Sequence, residues 1–185
     1  LAQSLMAVSR NPSGTSITED VGAQQTIRTP VPTLHCPTRR EALAYPLVRA
    51  FRDRFGAAGA RTDYAMNGGS SAKHTSNSIY LDHEGIWRVG SQTALKQITD
   101  GTSKTYLVGE KAMDASRYHN GLDLGDLTPL AGWTTQRRGV ANSYVRFAAR
   151  KPGADGRDNC LTCHDFGSAH TTNWNAAMCD GSVRP

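Results

Sequence analysis

The sequence predicts an α+β domain in which short antiparallel strands form a sheet beside the stump of an N-terminal helix. Its 185 residues suit one domain. Glycine is abundant at 18 residues while hydrophobic residues reach only 38%, a composition that favours loops and short strands over long helices. Several brief β-type runs also end in turn pairs such as Asp100-Gly101 and Asp180-Gly181. The combination favours antiparallel pairing.

The first half of the chain alternates irregular segments with short regular ones. Residues 1–28 are a polar lead-in, and residues 1–8 carry one apolar face, typical of a helix end. Residues 29–37 are rich in proline and should be extended. Residues 42–55 have helical apolar spacing, and the proline at position 46 predicts that the helix begins there. Residues 63–69 predict a strand that runs into a glycine turn, and residues 80–89 predict a hairpin.

The second half contains the clearer strands. Residues 93–99 predict a short helix that ends at Asp100-Gly101, and residues 105–108 predict a strand. Residues 112–143 are a loop-rich insertion anchored by Trp133, and residues 144–148 are another strand candidate. Residues 175–178 should enter the turn at Asp180-Gly181 and return as residues 182–184. We therefore treat residues 1–185 as one globular domain.

Charge and hydropathy limit the partners. The formal net charge is +5, which indicates a mildly basic surface. The pairs Arg39-Arg40 and Arg137-Arg138 are too short for a nucleic-acid-binding arm, so we expect no nucleic-acid partner. No apolar run approaches ~18 residues and no signal peptide is visible. Because the chain begins at Leu1, we expect a processed or trimmed product that has lost its N-terminal part.

Four cysteines give the sharpest chemical signal. Cys160-Leu161-Thr162-Cys163-His164 matches the attachment pattern of c-type haem, in which two thiols bond the haem and the histidine binds iron. The polar, turn-rich residues 152–159 are poorly suited to wall a porphyrin. We expect no cofactor, with covalent haem c as the alternative. Cys160 and Cys163 should be oxidised, to each other or to Cys36 and Cys179, as in an oxidising compartment.

Two metal sites are weaker alternatives. Zinc would bind Cys160, Cys163 and two of His164, His170 and Cys179. Calcium would bind near Asp123 and Asp126, which do not match an EF-hand loop and which we interpret as solvated turn carboxylates.

Five segments in a fixed order carry a family resemblance. They are residues 29–37, 61–65, 98–105, 107–111 and 166–184, the last with His170, nine residues, then Asp180-Gly181. Together they resemble the DUF1559 family, whose members have an H-x9-DG signature and prepilin-type leaders and are greatly expanded in planctomycetes. The resemblance covers most of the chain.

The resemblance implies a pseudopilin-like head whose N-terminal helix is largely missing. It implies an exported, non-catalytic structural subunit of a pilus, pseudopilus or other assembly of the cell envelope or extracellular space. The partners would be other subunits, and membrane contact would come only through the missing helix. A haem-bearing redox or electron-transfer surface protein and a cell-surface binding module, with binding loops in residues 112–143, are the alternatives.

The resemblance also assigns structural residues. They are Asp63, Tyr64, Asp100, Gly101, His170, Asp180 and Gly181. We expect His170 to hydrogen-bond the Asp180-Gly181 turn, and a metal or processing site is the alternative. Cys36 and Cys179 lie in family motifs and could pair with each other, and two buried, unpaired thiols are the alternative.

Overall fold

A computed structural model provides the structure, and it describes twelve parts of the chain. These are residues 21–47, 52, 56–70, 85–87, 92–123, 125–126, 128, 133–136, 139–142, 145–148, 151–156 and 165–185. Within this part of the chain, short strands dominate and regular α-helix is limited to one short segment and Arg52. No helix among these residues is long and apolar enough to cross a membrane.

The elements are short and follow one another closely. The helix α1 is Val21–Arg28, and 3-10 turns occupy Pro32–Leu34, Leu95–Gln97 and Ala115–Arg117. The strands are β1 (Ala44–Pro46), β2 (Ala58–Ala60), β3 (Tyr64–Asn67), β4 (Tyr106–Glu110), β5 (Trp133–Gln136), β6 (Gly139–Asn142), β7 (Val145–Arg146), β8 (Gly153–Ala154), β9 (Gly167–Ser168), β10 (Ala176–Met178) and β11 (Val183–Arg184).

A five-stranded sheet organises the fold. Its strand order is β11-β10-β4-β3-β7, and all its pairs are antiparallel except the parallel pair of β3 with β7. Ala65 of β3 lies opposite Gly109 of β4, and a register shift in β10 follows Ala177. Gly109 lets aromatic rings approach the strand, since an added Cβ would lie only 2.4 Å from Trp174 Cζ2.

Three smaller sheets and α1 surround this sheet. β1 pairs with β2 and β5 with β6 in antiparallel fashion, while β8 pairs with β9 in parallel. Ile27 of α1 is fully buried, and its Cγ2 lies 3.4 Å from where a Cβ on Gly59 of β2 would stand. The helix therefore packs closely on β2 because glycine leaves room for it.

The core combines apolar and charged side chains. Phe166, Leu47 and Met113 are among the largest fully buried residues, but so are Arg61 and Lys111. Arginine and lysine side chains are almost never fully buried unless an opposite charge pairs with them. The low hydrophobic fraction is thus compatible with a packed interior because ionic groups occupy part of it.

Most strand predictions are confirmed. Residues 63–69, 105–108, 144–148 and 175–184 contain β3, β4, β7 and the β10–β11 hairpin, apart from residue 144, which lies outside the described residues. The turn pairs hold too, because Gly101 and Gly181 have φ of 95° and 85°, which favour glycine. Mainly antiparallel pairing is confirmed, although the described fold is richer in sheet than in helix.

Two predictions of local structure are wrong. No helix begins at Pro46, because residues 44–46 form strand β1, paired with β2. Residues 29–37 are not extended throughout, since Pro32–Leu34 form a 3-10 turn. The predicted helix end at residues 1–8 lies outside the described residues, and so do most of the predicted hairpin at residues 80–89 and most of the helix expected to follow position 46.

Candidate functional site

Four of the five motif segments, those at residues 29–37, 61–65, 107–111 and 166–184, meet at one end of the central sheet. The backbone N–H of Cys36 donates to Asp63 Oδ2 at 2.8 Å, and the N–H of Asp63 donates to Leu34 O at 2.8 Å. Tyr64, the first residue of β3, lies opposite Glu110 at the end of β4. The segment at residues 29–37 is therefore hydrogen-bonded to the residue just before β3, and the pairing of β3 with β4 places this segment next to β4.

Glu110 is the buried centre of this region, with only 1% of its surface exposed. Its Oε2 accepts hydrogen bonds from Ser168 Oγ and from Asn175 N, each at 2.9 Å. Its backbone carbonyl accepts from Trp174 Nε1 at 2.9 Å. These donors fix the carboxylate in one orientation and turn Oε1 away from them.

Oε1 of Glu110 faces a thiol and an imidazole. His170 Nε2 lies 3.2 Å from Glu110 Oε1 and 3.6 Å from Cys36 Sγ, and these three atoms all lie within 4.8 Å of one another. Cys36 is buried, and the His170 side chain is 32% exposed. A thiol, an imidazole and a carboxylate at such distances are a possible metal-ligand set.

The prediction that His170 bonds the C-terminal turn is wrong. The turn closes on itself, because Asp180 Oδ1 accepts hydrogen bonds from Ser182 N at 2.9 Å and Ser182 Oγ at 2.7 Å. His170 instead lies beside Glu110, and its backbone N–H donates to Ser168 Oγ at 3.1 Å. The histidine and the Asp-Gly pair of the signature therefore serve different parts of the molecule.

A network of buried ion pairs adjoins the cluster. Arg40 lies between two carboxylates: Nη2 donates to Asp63 Oδ1 at 2.5 Å and to Asp126 Oδ1 at 2.9 Å, and Nη1 donates to Asp126 Oδ2. Lys111 Nζ also donates to Asp126 Oδ1 at 3.2 Å. The four side chains are nearly inaccessible to water.

Arg39 extends the network to the segment at residues 151–156. Its Nε donates to Asp155 Oδ2 at 2.9 Å, and its Nη2 donates to the carbonyl of Lys111 at 2.8 Å. The hydroxyl of Tyr118 donates to the same Asp155 oxygen at 2.5 Å. Adjacent arginines thus join four separate parts of the chain.

Burial and charge shift several pKa values here. Burial alone would raise the pKa of Asp126, but Arg40 and Lys111 lower it well below its usual range. Burial would lower the pKa of Arg40, and Asp126 outweighs this and raises it. The pKa of Asp123 is raised, first by burial and then by Asp126. The network therefore keeps Asp126 and Arg40 charged.

The interpretation of Asp123 and Asp126 as solvated carboxylates is wrong, because they are 1% and 2% exposed. Asp126 is already neutralised by Arg40 and Lys111. Asp123 accepts from the backbone N–H groups of Asp114 and Gly125. This arrangement does not favour the calcium alternative, since a cation would have to displace those donors.

The cysteines are separated. Cys36 and Cys179 are free thiols, so the disulfide between them is not formed and the unpaired alternative is the one observed. The N–H of Cys179 donates to Thr105 O just before β4, whereas Cys36 lies by Glu110 at the far end of that strand. Five residues of strand span roughly 17 Å, far beyond the reach of a disulfide. For the same reason, His170 and Cys179 cannot both complete the zinc alternative at Cys160 and Cys163, and the combinations with His164 lie outside the described residues.

The two remaining predicted features are the Cys-x-x-Cys-His motif and the Asp100-Gly101 turn, and the structure describes only the second. Cys160, Cys163 and His164 lie outside the described residues, so the haem and disulfide predictions there stay predictions. Asp100 and Gly101 form an exposed turn away from the cluster.

In the sequence, Arg39 and Arg40 form only a short basic pair and are not site candidates. Glu110 stands there only as one acidic residue of the segment at residues 107–111. The one signal for the arginine pair is its position one residue beyond the segment at residues 29–37.

One family comparison bears on the chain. A family model described as "Protein of unknown function (DUF1559)" matches residues 6–185. Searches of curated proteins and of solved structures gave no match.

Proposed function

The chain belongs to the DUF1559 family, and from this premise we propose that it is an exported, non-catalytic structural subunit of a pilus, pseudopilus or other extracellular assembly. In this role, the described sheet is a pseudopilin-like head, and other subunits of the assembly are its partners. The proposal extends the resemblance to prepilin-type proteins on which the sequence interpretation rests.

One observation carries the proposal: four of the five motif segments, all but residues 98–105, hydrogen-bond to one another at the same end of the sheet. The backbone N–H of Cys36 donates to the Asp63 carboxylate, and the Glu110 carboxylate accepts from Ser168 Oγ and from the backbone N–H of Asn175. The polar groups in these segments are thus used to hold distant parts of one head together. This use favours a structural role for the motifs, since residues that define a fold need no substrate to account for them.

The burial of Arg39 and Arg40 removes this basic pair as a nucleic-acid contact. Arg39 and Arg40 are each 4% exposed and are neutralised by Asp155, Asp63 and Asp126. Phosphate contacts require accessible basic groups. The pair therefore contributes nothing to a nucleic-acid surface, although the chain as a whole is basic.

Localisation and assembly test the proposal together. Antibodies raised against the purified chain would be applied to intact cells of the encoding organism, with gold labelling and electron microscopy. We expect label on external filaments or the envelope surface, and loss of signal after mild external protease. Label confined to the cytoplasm of opened cells would contradict the proposal. A cytoplasmic enzyme labelled in parallel controls for cell lysis.

Chemical crosslinking on the same cells separates subunit from solitary surface protein. We expect ladders of crosslinked species containing this chain. A surface protein that stays monomeric at increasing crosslinker would contradict the assembly role and favour the binding-module alternative.

A further inference from the structure

We propose that Cys36, Glu110 and His170 form a binding site for a divalent transition-metal ion of the zinc type, with one coordination position left to water. The inference is independent of the role proposed above, because metal binding is measured on the purified chain and assembly is measured on cells.

The distances match a shared ion. A tetrahedral zinc ion lies about 2.3 Å from sulfur and about 2.0–2.2 Å from nitrogen and oxygen, so sulfur and nitrogen ligands stand about 3.6 Å apart and nitrogen and oxygen about 3.3–3.4 Å. The corresponding separations are 3.6 Å from Cys36 Sγ to His170 Nε2 and 3.2 Å from His170 Nε2 to Glu110 Oε1. These two separations are therefore already close to those that an ion would impose, and the Cys36 and Glu110 ligand atoms lie within 4.8 Å of each other.

One ring nitrogen faces both neighbours, and this distinguishes the cluster from a catalytic triad. In a triad, the nucleophile contacts Nε2 of the histidine and the acid contacts Nδ1. Here Nε2 of His170 approaches both Cys36 Sγ and Glu110 Oε1. A ring nitrogen carries one proton or one lone pair, so it serves only one of them at a time. A metal ion between the three atoms satisfies all of them at once.

Neighbouring groups hold each ligand in place. Ser168 Oγ and Asn175 N donate to Oε2 of Glu110, while the buried Oε1 accepts no well-aligned hydrogen bond from the described residues and has only the 3.2 Å contact with His170 Nε2. The same Ser168 oxygen accepts from the N–H of His170. Metal-ligating carboxylates and histidines are commonly oriented by such outer hydrogen bonds.

The donor set selects the class of metal. Thiolate and imidazole ligands suit zinc and related ions, whereas calcium and magnesium prefer oxygen ligands. Cys36 and Glu110 are buried, and the 32% exposed side chain of His170 gives the ion a route from solvent. The ion would join the segment after the first 3-10 turn, the end of β4 and the segment after β9.

The experiment uses the full chain with Cys36 as its single thiol, through Cys160→Ser, Cys163→Ser and Cys179→Ser. These changes remove the Cys-x-x-Cys-His motif as a competing site. The reduced, chelator-treated chain would be titrated with Co²⁺, whose thiolate charge-transfer absorption reports sulfur ligation, and then with Zn²⁺ as competitor. We expect one equivalent of Co²⁺ with that absorption, displaced by Zn²⁺ and unaffected by Mg²⁺.

Single variants in this background test each ligand. Cys36→Ser should abolish the charge-transfer absorption. Glu110→Gln and His170→Gln should weaken Co²⁺ binding by more than the roughly 10–100-fold that loss of an outer hydrogen bond causes. Ser168→Ala should fall within that range. His119→Gln, at an exposed histidine outside the cluster, is the matched control and should leave the affinity unchanged.

Two outcomes would overturn the site. One is a folded single-thiol chain, judged by circular dichroism, that gives no thiolate absorption with Co²⁺. The other is unchanged affinity in His170→Gln, which decides the matter even if the buried variants fail to fold, because this side chain is partly exposed.

Discussion

Replacing Arg40 with methionine tests whether the buried ion pairs hold the head together. Methionine keeps much of the length and volume of arginine but removes its charge and all its donors. Asp63 would lose its contact at 2.5 Å, and Asp126 would lose both of its hydrogen bonds from Arg40. The variant therefore leaves carboxylates without their main partner in a site that excludes water.

The expected cost follows from the burial of the pairs. The side chains of Arg40 and Asp63 are 0% exposed, and that of Asp126 is 3% exposed. Removing one partner of a buried pair costs about 3–5 kcal/mol. For a chain of this length, each kcal/mol corresponds to roughly 2–4 °C in Tm, so Arg40→Met should melt about 6–20 °C lower. The loss is a large share of a typical stability of about 5–15 kcal/mol.

Urea unfolding followed by circular dichroism measures this loss, and two further variants interpret it. Arg40→Lys should lose about 1.5–3 kcal/mol, because one ammonium does not reproduce the fork between Asp63 and Asp126. Arg117→Met removes the 2.9 Å pair with Asp114; the arginine is 27% exposed, and the buried Asp114 keeps its hydrogen bonds from Ser116 N and Oγ, so the loss should be less than about 1 kcal/mol. If Arg40→Met and Arg117→Met lose the same amount, the reasoning about burial is refuted.

Three other perturbations probe separate features. Because the pKa of Asp126 is depressed, the stability that its charge contributes is full above about pH 5 and is lost as the pH falls. Asp126→Asn should therefore flatten the acid side of the plot of unfolding free energy against pH. An unchanged plot would contradict this. Gly109→Ala should lose about 1–3 kcal/mol by overpacking against Trp174, with altered near-ultraviolet circular dichroism, whereas Gly153→Ala, in open space, should change stability by less than about 0.5 kcal/mol. Gly181→Val should lower the free energy of unfolding in urea by about 1–3 kcal/mol, because Gly181 has a φ of 85°, which valine resists. An unchanged free energy of unfolding would exclude strain at that turn.

Local signals in the sequence predicted the local parts of the fold. The turn pairs Asp100-Gly101 and Asp180-Gly181 fix their geometry through residues that tolerate positive φ, and neighbouring strands follow from them. The same reasoning failed at Pro46, where proline at the start of an apolar run favours a helix but pairing with β2 imposes a strand. Tertiary pairing there outweighs local preference.

The candidate site could not be predicted in the same way, because contacts between residues far apart in the sequence leave no periodic pattern in it. Arg39 meets Asp155 across 116 positions, and Arg40 meets Asp126 across 86. Such pairs follow from chain topology, so a single sequence gives no rule for choosing them. The approach of Cys36 to His170 across 134 positions is of the same kind, although the resemblance had singled out both residues.

The placement of charge explains how a chain with 38% hydrophobic residues builds a core. Apolar groups attract one another without direction, and a core made from them alone accepts many arrangements. A buried arginine between two carboxylates is compatible with few chain arrangements, because any arrangement that leaves a buried charge unpaired costs several kcal/mol. The group of Arg40, Asp63 and Asp126 as a whole therefore adds little net stability over well-packed apolar residues at all three positions, but it penalises any fold that separates Asp63 from Asp126. The ligand cluster borders this network through Cys36, whose N–H is held by Asp63, so the groups that define the fold also position the thiol.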